Sequence, residues 1–177
     1  MAALPRLSPA RPEEILLPVR IWFVLSTLVA SLILNLLPAG GVWLAIRPDF
    51  LALTLLYWCI QQPRMLGVGV AWLFGLVMDV GDGTLFGQHA LAYSALAYAA
   101  EFFHRRVLRF PLWHQAAHVA ALLILCGALV LIVRLMGGAA GVSWTYFLPA
   151  ASGALLWPVI SVFYQLPQRP ARSPGER

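Results

Sequence analysis

The chain predicts an all-α, polytopic membrane protein of six transmembrane helices, the second and third of them short. Three observations predict it. Of 177 residues, 61% are hydrophobic and only 11% are charged, and the mean hydropathy is +0.81. A soluble domain carries about a quarter charged residues, so too little polar surface remains here to cover an apolar interior. The apolar residues fall into runs near the roughly 20 residues that a helix needs to cross a bilayer, and the length holds about six of them. Counted as crossings, those runs put nearly all the arginines on one side.

Residues 1–20 (MAALPRLSPARPEEILLPVR) are rich in Pro and Arg and read as a tail that ends at the membrane surface. Residues 21–46 carry no charge; 21–37 suit a helix, stopped by Pro38-Ala39-Gly40-Gly41. The acidic Glu13 and Glu14 ahead of the run, its length and the lack of an A-x-A site make it a retained span rather than a cleaved signal peptide. Arg47-Pro48-Asp49 leads into a helix over 50–60, with Pro48 suited to the first turn and Asp49 to the positive end of the dipole. After Gln61-Gln62-Pro63-Arg64 comes a helix over 65–78, closed by Asp79. Such a helix rises only about 21 Å against a hydrocarbon core of about 30 Å. These two segments extend into their flanks, thin the bilayer or cross it in part, and in each case the chain returns to the side it left.

The later spans are plainer. Residues 83–103 are interrupted only by Gln88, His89 and Glu101, and His104 to Arg109 form a basic loop. Residues 112–136 give the fifth span, 137–143 a small-residue turn, and 144–166 the sixth, with a kink expected at Pro158. Residues 167–177 form an Arg/Pro-rich tail of disordered composition. The expected plan is a cytoplasmic tail (1–20), one transmembrane domain (21–166) and a second cytoplasmic tail (167–177).

Six crossings place Arg6, Arg11, Arg20, Arg64, Arg105, Arg106, Arg109, Arg169, Arg172 and Arg177 on one side, and only Arg47 and Arg134 on the other. The positive-inside rule then puts both termini in the cytoplasm. Trp22, Trp58, Trp113 and Tyr164 fall near the inner interface, and Trp43, Trp144 and Tyr146 near the outer, as aromatic belts would. The net charge of +5 comes from scattered Arg without Lys, so the partner it implies is membrane lipid and no nucleic acid. Cys59 and Cys126 lie inside apolar runs and act as small hydrophobes, with no disulfide or zinc spacing.

Gly67, Ala71 and Gly75 recur at four-residue intervals and lead to Asp79 on the same face. Small residues so spaced let another helix approach closely, so this ridge is a candidate packing face or partner interface. Asp79 is a carboxylate inside the membrane boundary, where acids face a partner or water. Arg47, Asp49, Asp82 and Arg134 are predicted at the same outer boundary, and pairing of Asp79 with Arg47 or Arg134 is expected.

Catalysis finds little support. An aspartyl intramembrane protease needs Gly-x-Gly-Asp and a second deep Asp; Asp79-Val80-Gly81-Asp82 lacks the first Gly, and no second deep Asp is present. Ser152 and His89 share only a depth in the membrane, and His118 lies far from both. Glu101 with His104 (i, i+3) and His114 with His118 (i, i+4) have metal-ligand spacings, yet read better as interfacial polarity around a basic loop. No catalytic residue, metal or cofactor is assigned.

Arg47-Pro48-Asp49-Phe50, Leu55-Leu56-Tyr57-Trp58, Gln62-Pro63-Arg64 and Trp72-Leu-Phe-Gly-Leu-Val-Met-Asp79 follow one another in order. Gly81, Asp82, Gly83, Leu85, Phe86, Gly87, Ala90, Leu91 and Tyr93 come next, and Leu156-Trp157-Pro158 stands in the last span. This series closely resembles the rod shape-determining membrane protein family MreD, in detail over 47–100 and in outline elsewhere. The positions that match are Arg47, Pro48, Asp49, Gly75, Asp79, Gly83, Gly87, Trp157 and Pro158.

The resemblance implies a non-catalytic inner-membrane component of the bacterial elongation machinery. It implies direct binding to MreC, and a larger complex with MreB filaments, RodA and a class B penicillin-binding protein. It also implies a fold like the six-helix substrate-binding subunits of energy-coupling-factor transporters. Trp157 and Pro158 join Gly67, Ala71, Gly75 and Asp79 as candidate interface residues, with the small-residue face of the third helix as the expected seat for MreC's single span. The alternative is a substrate-binding subunit of a vitamin-type transporter, which needs an aromatic-lined polar cavity. Outer loops poor in hydrogen-bonding groups, apart from Asp49, Asp82, Ser143 and Thr145, count against it.

Overall fold

Long apolar runs broken by Pro and Gly favour helices, because a helix satisfies its backbone polar groups within one segment. A computed structural model describes residues 19–38, 40–138 and 143–168, apart from the side chain of Trp144. All regular structure among them is helical. The helices are α1 (Ile21–Leu36), α2 (Val42–Ile46), α3 (Phe50–Gln61), α4 (Val68–Asp82), α5 (Gln88–Val107), α6 (Leu112–Met136) and α7 (Leu148–Gln165). Single 3₁₀ turns flank α7 at Trp144–Phe147 and Leu166–Gln168. The greater part of both predicted tails, with five of their arginines, and most of the 137–143 turn lie outside the described residues.

Three segments are long and apolar enough to cross a membrane: Val42–Gln61, which joins α2 to α3, Leu112–Met136 and Thr145–Gln168. α1 is apolar but shorter. α5 has the length, yet Gln88, His89, Ser94, Glu101 and His104 lower its apolarity. α5 packs against α3, α4 and α6, and there His89 bonds to Asp79 and Ser94 to the Ala90 carbonyl.

α3 occupies the centre. Every residue from Leu51 to Ile60 is buried, and the helix packs against α1, α5, α6 and α7. A helix apolar on all sides belongs in a core, so its shortness reflects a rod enclosed by longer neighbours. Trp58 and Tyr164, predicted in the inner aromatic belt, belong instead to this core. Trp58 is fully buried, Tyr57 and Tyr164 lie 5.1 Å apart, and Trp58 stacks on Tyr164 at 5.8 Å. The Trp58 indole N–H donates to Thr27 Oγ1 on α1 at 2.9 Å, which meets the need of a buried indole for an acceptor. Trp22, Trp43 and Trp113 are exposed, as a belt requires. Cys59 and Cys126 are buried and free.

The third predicted helix starts later than its pattern indicates. Gly67 is the N-cap of α4 in extended backbone, and Gly83 closes the helix at φ 61°, a left-handed conformation that glycine adopts without strain. Asp79 therefore sits within the last turn, rather than beyond the helix end.

Candidate functional site

The small-residue ridge is an internal joint. Ala71 and Gly75 are buried, and a Cβ on Gly75 would lie 2.6 Å from Ala90 N and 2.7 Å from His89 O, both backbone atoms of α5. α5 occupies the face that the sequence offered to a partner helix at Ala71 and Gly75. Gly67 stands apart from the joint: a Cβ there meets only Glu101 Oε1 at 3.6 Å, an ordinary contact. Trp157 is likewise internal, buried with its indole N–H donating to Gln115 Oε1 at 3.3 Å. Pro158 follows it inside a continuous α7.

Asp79 carries the joint into polar chemistry. Its Oδ1 accepts the His89 backbone N–H at 2.8 Å and His89 Nδ1–H at 2.8 Å. Its Oδ2 accepts the Gly87 N–H at 2.9 Å and the Ala90 N–H at 3.4 Å. The Thr84 hydroxyl reaches Oδ1 at 3.4 Å. A carboxylate from α4 thus caps the first turn of α5, where unpaired N–H groups and the dipole both favour negative charge. Gly87 makes this possible at φ 96°. The expected pairing of Asp79 with Arg47 or Arg134 is replaced by this His89 pair, the one acid–base pair at contact distance among the described residues. The donors of α5 stand closer than either guanidinium, and with Nδ1 donating, the second His89 nitrogen is left for another partner.

Asp49 builds a second knot. It is the N-cap of α3, accepting the Ala52 N–H at 2.9 Å at the positive end of the helix dipole, while Pro48 stands before the helix rather than in its first turn. The same Oδ1 accepts from Asn35 Nδ2 at 2.7 Å, and Oδ2 accepts the Tyr93 hydroxyl at 2.7 Å. Asn35 Oδ1 accepts the Phe50 N–H at 3.0 Å. Arg47 donates to the Leu37 carbonyl at 2.7 Å and the Asn35 carbonyl at 2.6 Å, closing the C-terminal end of α1. Asp49 therefore ties α1, α3 and α5 at one end of the bundle. Asp82 and Arg134 are exposed and take no part in either knot.

Asn35, His89 and Tyr93 are the functional residues that spacing alone passed over. Asn35 had a signal, as an amide within an uncharged apolar run. Tyr93→Phe leaves Asp49 Oδ2 without its donor and is expected to lower stability by about 1.5–3 kcal/mol, read as the thermal unfolding midpoint in detergent.

A cavity of about 460 Å³ opens beside the two knots, with Asp49, His89, Arg134, Thr145 and Tyr146 among apolar walls from α2, α3, α6 and α7. At the opposite end, the predicted metal-spaced residues turn to their own helices. A His104 ring nitrogen meets the Glu101 carbonyl, and His118 meets that of His114. No three His, Cys, Asp or Glu side chains gather as a metal site among the described residues. Ser152 donates to the Pro149 carbonyl at 3.1 Å.

The family described as rod shape-determining protein MreD matches residues 15–166. The rod shape-determining protein MreD of Haemophilus influenzae is 30% identical over 138 residues, covering 77% of this chain and 85% of that protein. No solved structure matches, so the expected likeness to transporter subunits stays without a structural counterpart. The family is one of shape-determining membrane proteins and not of known enzymes, and the chain belongs to it: it is a member of the MreD family, with a role in rod-shape determination.

Proposed function

We propose that the protein is a non-catalytic inner-membrane scaffold of the elongation complex, which binds MreC and helps couple MreB filaments to peptidoglycan synthesis by RodA and a class B penicillin-binding protein. It crosses the membrane six times with both termini in the cytoplasm, an orientation supported by the arginine distribution. The observation that carries the reading is where the charged groups go. Asp49 and Asp79 hold α1, α3, α4 and α5 together, so the body is rigid and offers partners mainly apolar helix faces. Ile33 on α1, and Leu155, Val159 and Phe163 on α7, are among the large exposed side chains. In lipid, such faces associate through close packing, and they replace the α4 ridge as the seat for a partner span.

The test is depletion in a rod-shaped host together with co-purification. Rounded cells and recovery of MreC with the tagged chain are expected; unchanged morphology overturns the reading. Reporter fusions at both ends should give cytoplasmic signals.

The cavity beside Asp49 favours one second reading, the substrate-binding subunit of a vitamin-type transporter, since it supplies the polar, aromatic-edged space that the short loops do not. A melting shift with vitamins and no recovery of MreC would select it.

A further inference from the structure

A smaller cavity of about 390 Å³ lies where the α4–α5 turn meets the end of α6, lined by Gly83, Thr84, Leu85, Gln88 and Arg134 with the glycine pair after α6. Gln88 lines it while only 2% exposed. Its backbone N–H bonds to Leu85, but its side-chain amide has no hydrogen-bond partner among the described residues. The residue lines the cavity, so its amide is available to a group bound there. Arg134 has no acid within ion-pair distance among the described residues either. The lining hydroxyl, that of Thr84, makes only the long contact to Asp79 at 3.4 Å. Asp79 itself is buried under the N–H groups of α5, and Asp82 is not part of the lining.

We propose that this cavity binds the phosphate headgroup of an anionic phospholipid. Arg134 supplies the charge, the Gln88 amide and Thr84 hydroxyl supply neutral donors, and Gly83 and Gly138, with nothing within 4 Å of an added Cβ, leave backbone open to a tetrahedral group. No lining acid is present to hold an ammonium, so an anionic headgroup fits better than a zwitterionic one. The source is a lipid rather than a free anion because the site lies at the helix ends, at headgroup depth. Around it, Leu85, Phe86 and Met136 are exposed at 47%, 73% and 84%, which gives acyl chains an apolar surface to follow. This goes beyond the scaffold reading and requires only that the protein reside in a membrane.

The full chain in neutral detergent, mixed with equal phosphatidylglycerol and phosphatidylcholine, tests the proposal by native mass spectrometry. The expected result is about tenfold preferential retention of phosphatidylglycerol, equivalent to about 1.4 kcal/mol. Arg134→Gln and Gln88→Leu should each lose that preference, and Arg134→Lys should keep part of it. Arg105→Gln, at the other end of the bundle, should keep all of it. The elution profile of each variant reports its fold, and Gln88→Leu, which removes no charge, carries the test if Arg134→Gln fails to fold. Equal retention by wild type, Arg134→Gln and Gln88→Leu, or an equal loss in Arg105→Gln, overturns the site. A melting shift with millimolar inorganic phosphate as large as that with phosphatidylglycerol overturns the lipid source.

Discussion

Asp79→Ala is expected to lower stability by about 3–5 kcal/mol, the cost of removing an acceptor shared by several buried donors. Asp79 is 1% exposed, and loss of its carboxylate strands the His89 ring N–H and the first N–H groups of α5. Asp79→Asn should cost less, about 1–3 kcal/mol, because one oxygen remains to accept while the new amide N–H₂ confronts donors. His89→Ala combined with Asp79→Ala should cost less than the two single changes added, since each removes the same bond. Unfolding in mixed detergent measures all four proteins. Additive losses would mean that the His89–Asp79 bond contributes nothing.

Gly75→Leu is expected to prevent α4 and α5 from docking at all. The added Cβ alone meets backbone of Ala90 and His89, which cannot swing aside as a side chain does. Overpacking in a tight site costs typically about 1–3 kcal/mol, and here the separation also pulls Asp79 from its donors, so both terms fall on one variant. Even Gly75→Ala should be measurably destabilised. Gly69→Ala, on the same helix with nothing within 4 Å of the new Cβ, should stay within about 1 kcal/mol of the wild type. Yield of monodisperse protein and its unfolding midpoint separate the two positions. Equal behaviour would contradict the helix joint.

Hydropathy made the helical fold legible, because the need to satisfy every backbone group in lipid leaves few alternatives. Span counting was less reliable. α3 and α5 break the rule that apolarity tracks lipid contact: α3 is apolar because protein encloses it, and α5 can be polar for the same reason. At the site, Asp49, Asp79 and the glycine ridge stood out as costly or unusual residues in a membrane. Their partners did not. Asp79 reaches His89 and Gly87 through a tight turn whose geometry depends on Gly83 and Gly87 adopting positive φ. A depth argument therefore paired it with arginines at the same level. Asp49 and Tyr93 stand 44 positions apart, and only the packing of α3 on α5 brings them together.

That packing has a consequence for how the chain is made. Asp49 and Asp79 are both synthesised before α5, and each takes donors from one short stretch at its start, from Gly87 to Tyr93. Until that stretch emerges, Asp49 has only Asn35 and the Ala52 N–H as donors, and Asp79 lacks the N–H groups it caps. One helical turn and a half then silences both together. A one-residue slip in the register of α5 would therefore take donors from both acids at once, the Tyr93 hydroxyl from Asp49 and the capping N–H groups from Asp79.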